Sequence, residues 1–192
     1  MPSCLEQARQ IGAIPMKRTD QALVRHLDRD EVCVLLDAPD TRSLSGLRDR
    51  AMLHLAFAAG LRVSELVGLR LDQLERGLTP CVHVTGKGRR ERILPLWKET
   101  AAAISAWVRV RAANGGPELF LNAVGQGMTR SGFEYILAKH VAAAARIRPS
   151  IAGKRVTPHV LRHSCAMHTL QATKDVRKVA LWLGHASLQS TE

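Results

Sequence analysis

Acidic residues are scarce in this sequence, aromatic residues are scarcer, and paired cysteines are absent. Asp and Glu number 17 against 28 Lys and Arg, so the 192-residue chain carries a formal charge of +11 at pH 7. Such a surplus repels cations and collects polyanions. In a folded domain without a basic membrane-type helix, it points to nucleic acid as the partner. Aromatics make up only 4%, with a single tyrosine, Tyr135. That argues against a single-strand binder, which needs aromatic platforms for stacked bases. Cys4, Cys33, Cys81 and Cys165 are isolated, with no CxxC pair, which argues against a thiolate zinc knuckle or a redox pair. No apolar run reaches the length of about 18 residues that suggests a membrane span, and the first residues lack the apolar core of a signal peptide. The expected location is cytoplasmic, with no membrane partner, no metal and no cofactor.

What is present fits a folded domain. Apolar residues make up 46%, well above the level of disordered chains. A chain of this size buries about 70% of its unfolded surface, so no disulfide or metal staple is required. Residues 1–22 read as a linker, or as the remnant of something upstream. Asp28 opens a helix, with Glu31 placed to close a capping box. Ser45 is the expected cap of the next helix, apolar around most of its circumference from Ala51 to Ala59, and hence a core helix. Gly60 closes it, and RVSELVGL makes a short helix. CVHVT and RILPL are β-branched runs flanking GKGRRE, which predicts an antiparallel hairpin. Trp97 to Ala112 and Ser131 to Ala145 read as helices, with Tyr135 as a packing residue. Thr157-Pro158 starts another helix with a cap followed by a first-turn proline. Lys174 to Leu183 reads as the last helix, ended by Gly184. The expected class is mostly α with a small antiparallel β-sheet (α+β).

Four short motifs carry charge in suggestive places. In GLRVSEL, Arg62 and Glu65 are three residues apart and share a helix face. They make either a structural ion pair or a held cation. In TPHVLRH, His159, Arg162 and His163 share a face at a helix start, where free N–H groups and the dipole favour an anion. Arg162 can there bind two oxygens at once. Zinc on His159, His163, Cys165 or His168 is the competing idea, disfavoured by the Arg162 cation and the lack of a nearby carboxylate. GKGRR places Lys87, Arg89 and Arg90 at a glycine-flanked hairpin tip, which is a mobile basic finger or a plain solvated turn. It lacks the phosphate-loop pattern GxxxxGK[ST]. LGH puts His185 just past a helix end.

Taken in order, GLRVSEL, TGKGRRERILPL, TPHVLRHSCAMH and LGHASLQSTE resemble the catalytic domain of the tyrosine recombinases. This is the phage integrase family, in its Xer-like branch, and the likeness runs over residues 23–192. The resemblance implies the tyrosine-recombinase catalytic-domain fold, clamping double-stranded DNA together with a separate N-terminal core-binding domain, so that residues 1–22 are a linker or the remnant of that domain. It implies cutting and rejoining of DNA through a 3′-phosphotyrosine, without metal or cofactor, by a homo-oligomer (a tetramer on two duplexes).

Position by position, Arg62 and Arg162 match the family's two arginines, Lys87 its hairpin lysine, His159 the histidine of H-x-x-R, and His185 the histidine after LG. Glu65 matches the acidic residue supporting the first arginine, and His163 is a supporting residue. Arg89, Arg90, Lys154 and Arg155 read as phosphate contacts that position the duplex. The family's attacking tyrosine lies on a short helix after the LG-linked histidine, which by count falls just after Glu192. This chain is therefore expected to lack its nucleophile, to be incomplete at the C-terminus, and to be inactive by itself. The alternative is a non-enzymatic DNA-binding remnant or partner subunit; a type IB topoisomerase-like activity is a more distant reading.

Overall fold

A computed structural model describes residues 25–86, 91–111 and 115–184. The helices are α1 (Arg29–Asp37), α2 (Leu44–Ala58), α3 (Val63–Val67), α4 (Lys98–Val110), α5 (Arg130–Ile147), α6 (Pro158–Thr173) and α7 (Val176–Leu183). A three-stranded antiparallel sheet, β1 (Leu74–Glu75), β2 (Cys81–Thr85) and β3 (Glu91–Pro95), has its strands in sequence order. The mostly helical class with a small antiparallel sheet is as expected.

The core forms around α2. Its Ala51, Met52, Leu53 and Leu55 are fully buried, as the all-round apolar pattern requires. Each of the three larger side chains is worth about 1.5–3 kcal/mol against exposure. This helix packs against α1, α4 and α6, while α5 covers α1 and α3, and α7 packs on α6. In the sheet, Val82 and Val84 of β2 and Leu94 of β3 are buried. Alternation then sends Cys81, His83 and Ile93 to the opposite face.

The Asp28–Glu31 capping box forms, with Glu31 N–H donating to Asp28 and Asp28 N–H to Glu31. Thr157 caps α6 and Pro158 occupies its first turn.

Four local expectations change. The cap of α2 is Ser43, whose Oγ accepts from Gly46 N–H at 3.0 Å, not Ser45. Lys174 does not open α7. It ends α6 in the left-handed conformation (φ 52°), and Asp175 caps α7 by accepting from Arg177 and Lys178 N–H. Strand β1 was not foreseen, since two residues carry no readable period. Tyr135 is not a packing residue: it is 73% exposed. The buried stripe of α5 runs through Phe133, Ile136, Leu137, His140 and Ala144, and at 3.6 residues per turn position 135 falls outside it.

Candidate functional site

The turn after α2 sets the site. Gly60 takes φ 55°, a left-handed conformation that suits glycine, and a Cβ there would lie 2.5 Å from Leu183 Cδ2. The turn delivers Arg62 to the N-cap of α3. Glu65, at the third helical position, accepts from Arg62 N–H at 2.9 Å and from its guanidinium at 3.0 Å. The Glu65 side chain is 4% exposed and that of Arg62 is 40% exposed. The carboxylate is thus a buried anchor, and the cation it holds still reaches solvent.

Two further arginines converge on the same carboxylate. Arg92 of β3 forms a two-pronged pair with Glu65, at 2.9 and 3.3 Å. Arg162 of α6 lies 4.0 Å from Glu65, with its side chain 9% exposed. Arg162 donates to the carbonyl of Gly60 and, at 2.8 Å, to that of Leu183. One buried guanidinium therefore ties the turn bearing Arg62 to the turn that precedes His185. Gly184 takes φ 66°, and a Cβ there would lie 2.8 Å from an Arg92 nitrogen. The LG turn thus closes directly onto Arg92. The sequence predicted Arg62, Glu65 and Arg162 together, and the structure brings them together.

The electrostatics are unbalanced. Burial raises the Glu65 carboxyl, but the Arg92 hydrogen bonds and the Arg62 N–H outweigh it and hold the group below its ordinary value. Burial, then Arg62, pulls Arg162 down to about 10, with Glu65 opposing. Arg162 stays charged at neutral pH. Among the described residues, three guanidiniums therefore share one carboxylate, leaving two positive charges in excess. Buried like charges are costly unless a counter-charge arrives. Forked guanidiniums are suited to bind tetrahedral oxyanions.

His159 is exposed in the first turn of α6. His163, one turn on, is half-buried; burial, with His26 and His159 adding, keeps its pKa below the ordinary value. Its ring meets that of His26 edge-on at 6.2 Å between centroids. Lys154 is engaged elsewhere: its ammonium pairs with the buried Glu31 and donates to the His26 carbonyl. Arg155 is exposed. Lys87, Arg89, Arg90 and His185 lie outside the described residues, as do residues 1–22 and the segment ending at Glu192.

Sequence reasoning missed Arg92. It sits in RERILPL behind more conspicuous basic residues. The one available signal was strand alternation, which puts Arg92 on the same face as buried Leu94.

Comparisons with known proteins give the family and the fold. Residues 25–192 match the model of the phage integrase family. The protein y4rC of Sinorhizobium fredii (strain NBRC 101917 / NGR234) is 43% identical over 192 residues, covering all of this chain and 58% of that protein. The tyrosine recombinase XerD of Listeria innocua is 40% identical over 178 residues, covering 90% of this chain and 58% of that protein. The crystal structure of the XerH site-specific recombinase bound to its difH substrate has a similar fold. Its TM-score is 0.75 at 22% identity, over 91% of this chain and 51% of that one. The chain thus spans little more than half the length of these relatives. With that family match and those identities, the chain belongs to the phage integrase family, the tyrosine recombinases, and has the fold of their catalytic domain.

Proposed function

We propose that this chain is the active-site scaffold of a site-specific DNA strand transferase, which cuts and rejoins duplex DNA through a 3′-phosphotyrosine. The observation that carries this reading is the trio of guanidiniums around Glu65, with its two uncompensated charges. When a tyrosine oxygen attacks a phosphodiester, phosphorus becomes five-coordinate and charge builds on the two non-bridging oxygens. Arg62 and Arg162 neutralise that charge, with no metal taking part. Their shared anchors hold them in place beforehand, so little reorganisation is needed at the moment of reaction. One preorganised donor of this kind is worth about 3–4 kcal/mol of barrier. Arg92 acts through Glu65 and positions Arg62.

In the same reading, Lys87 gives a proton to the leaving 5′ oxygen and His185 donates a third hydrogen bond to the phosphate. His159 exchanges a proton with the attacking tyrosine, a kind of step worth about 10²–10⁴-fold. His163 supports His159 from the next turn. Arg89, Arg90 and Arg155 hold the duplex backbone, and Lys154 serves the fold through Glu31. Residues 23–192 form the catalytic domain, and residues 1–22 are a linker or the remnant of an upstream core-binding domain. The working assembly is a homo-oligomer on two duplexes, acting in the cytoplasm.

The family's tyrosine follows the LG-linked histidine, whereas Tyr135, on α5, precedes it. The 192-residue chain by itself therefore binds duplex DNA, more weakly as salt rises, and does not cleave it. Joining a tyrosine-bearing segment after Glu192 should yield a covalent adduct on a nicked suicide substrate. A folded, DNA-bound protein that forms no adduct on its cognate site would leave the non-enzymatic DNA-binding reading instead.

A further inference from the structure

The outward face of the sheet carries a second constellation, unconnected with the arginine cluster. Cys81 and His83 are two residues apart on β2, so their side chains share a face. Glu75 of β1 is the direct cross-strand partner of Cys81. A directly opposed pair brings its Cβ atoms to about 4.5–5.5 Å, within reach of a shared ligand. The three side chains do meet. Cys81 Sγ lies 3.2 Å from Glu75 Oε2, and His83 Nε2 lies 2.7 Å from Glu75 Oε1. One sulfur, one imidazole nitrogen and one carboxylate oxygen all fall within 4.8 Å of one another. Cys81 is buried, whereas the side chains of His83 and Glu75 are 38% and 63% exposed. The sulfur thus forms the floor of a shallow site whose other two donors face solvent.

We propose that Glu75, Cys81 and His83 bind a zinc-class divalent ion, with solvent as its fourth ligand. The chemistry of the donors selects the metal. Thiolate and imidazole favour Zn²⁺ over Mg²⁺ or Ca²⁺, which prefer all-oxygen sites. Zinc–ligand bonds of about 2.0–2.3 Å suit donors already this close together, so loading needs only side-chain adjustment. The Cys81 proton leaves to solvent as the thiolate–metal bond forms, and the hydrogen bond from Cys81 to Glu75 gives way to shared coordination. The ion clasps β1 to β2, whose last residue, Thr85, precedes Lys87 by two positions in the sequence. The absence of any CxxC pair concealed this site, because strand register assembles it. It stands independently of the recombinase reading.

Cobalt(II) is the probe. Titrated into the purified 192-residue chain, it should produce a near-ultraviolet thiolate-to-cobalt charge-transfer band and intense visible bands of a four-coordinate ion. Both should saturate at one equivalent, and zinc should bleach them. Cys81→Ser should abolish the charge-transfer band, while Cys33→Ser should leave it unchanged. His83→Gln and Glu75→Gln alter exposed side chains and should each weaken binding by more than about 100-fold, beyond the about 10–100-fold cost of losing an outer partner. A wild-type chain without the thiolate band at excess cobalt would overturn the proposal. So would a band that survives Cys81→Ser, or, should that variant fail to fold, one that survives both His83→Gln and Glu75→Gln.

Discussion

Glu31 and Glu65 occupy the same local position and do different things. Each is the third residue of its helix, accepts the N-cap backbone N–H, and is buried. Each has its carboxyl held below the ordinary range: burial raises it, and hydrogen bonds to cations more than compensate. The difference lies in the number of cations. Among the described residues Glu31 meets one, Lys154, with Ser150 completing its shell. Charge there is balanced, and the result is a clasp between α1 and the loop before α6. Glu65 meets Arg62, Arg92 and Arg162, and charge there is left over. A balanced buried pair has nothing more to attract, whereas an unbalanced one attracts an anion. Surplus charge, rather than the presence of a buried ion pair, is what distinguishes the proposed active site from the scaffold.

The largest expected effect tests that distinction directly. Removing one partner of a buried pair costs about 3–5 kcal/mol, so Glu31→Ala and Glu65→Ala should both shift urea unfolding by that order. Only Glu65→Ala should change the affinity of the folded chain for tungstate or a short duplex. Equal effects of the two variants on anion binding would erase the contrast.

The next comparison separates anchor from reach. In a tyrosine-bearing version of the protein, Arg62→Ala and Arg162→Met should each cost about 3–4 kcal/mol of barrier, read as the rate of adduct formation. Their stabilities should differ. Arg162→Met leaves the Gly60 and Leu183 carbonyls without their donor, a loss of about 1–3 kcal/mol. The half-exposed Arg62 should cost less than about 1 kcal/mol.

A third test concerns the frame itself. Gly60→Ala places a side chain at φ 55° against Leu183 and should destabilise by about 1–3 kcal/mol. Gly77→Ala, where a Cβ would meet nothing within 4 Å, should change thermal stability by less than about 0.5 kcal/mol.

A third buried polar residue completes the comparison. His54 has a buried Nε2 with no hydrogen-bond partner among the described residues, and burial, with Arg50 adding, pulls its pKa down to about 4. A lowered histidine is neutral in the fold and takes up its proton more readily when unfolded. Its stabilising effect is full above about pH 6.5 and is lost as pH falls toward 4. At pH 5 the loss is about 2 kcal/mol. His54→Phe should flatten urea stability between pH 6.5 and 5. Glu31 and Glu65 act lower, since a depressed carboxyl gives up its contribution as pH falls from its unfolded value through its folded one. An unchanged slope in His54→Phe would show that its burial is not what drives acid destabilisation.

Local chemistry was the legible part. The Asp28 capping box, Thr157-Pro158, the β-branched hairpin and the apolar girth of α2 each lie within a few residues of chain, and each formed. The arginine cluster was legible only because Arg62, Glu65 and Arg162 sit in recognisable motifs. Arg92 lies in TGKGRRERILPL, where Lys87, Arg89 and Arg90 are the conspicuous cations, and 27 residues of chain separate it from Glu65. The partner of Glu31 was hidden for the same reason: Lys154 lies 123 residues away and reads as one more basic loop residue. Tyr135 was misplaced because a single aromatic in a helix reads as core until the buried stripe is known.

In the proposed function, Arg62 and Arg162 form one oxyanion seat. Crystals of the 192-residue chain soaked in tungstate test it most directly, since the tungsten position is visible by anomalous scattering. The expected result is a tungstate bridging the two guanidiniums beside Glu65, lost in Arg162→Met. Tungstate bound at Arg155 or other surface cations, with the space between Arg62 and Arg162 empty, would contradict it.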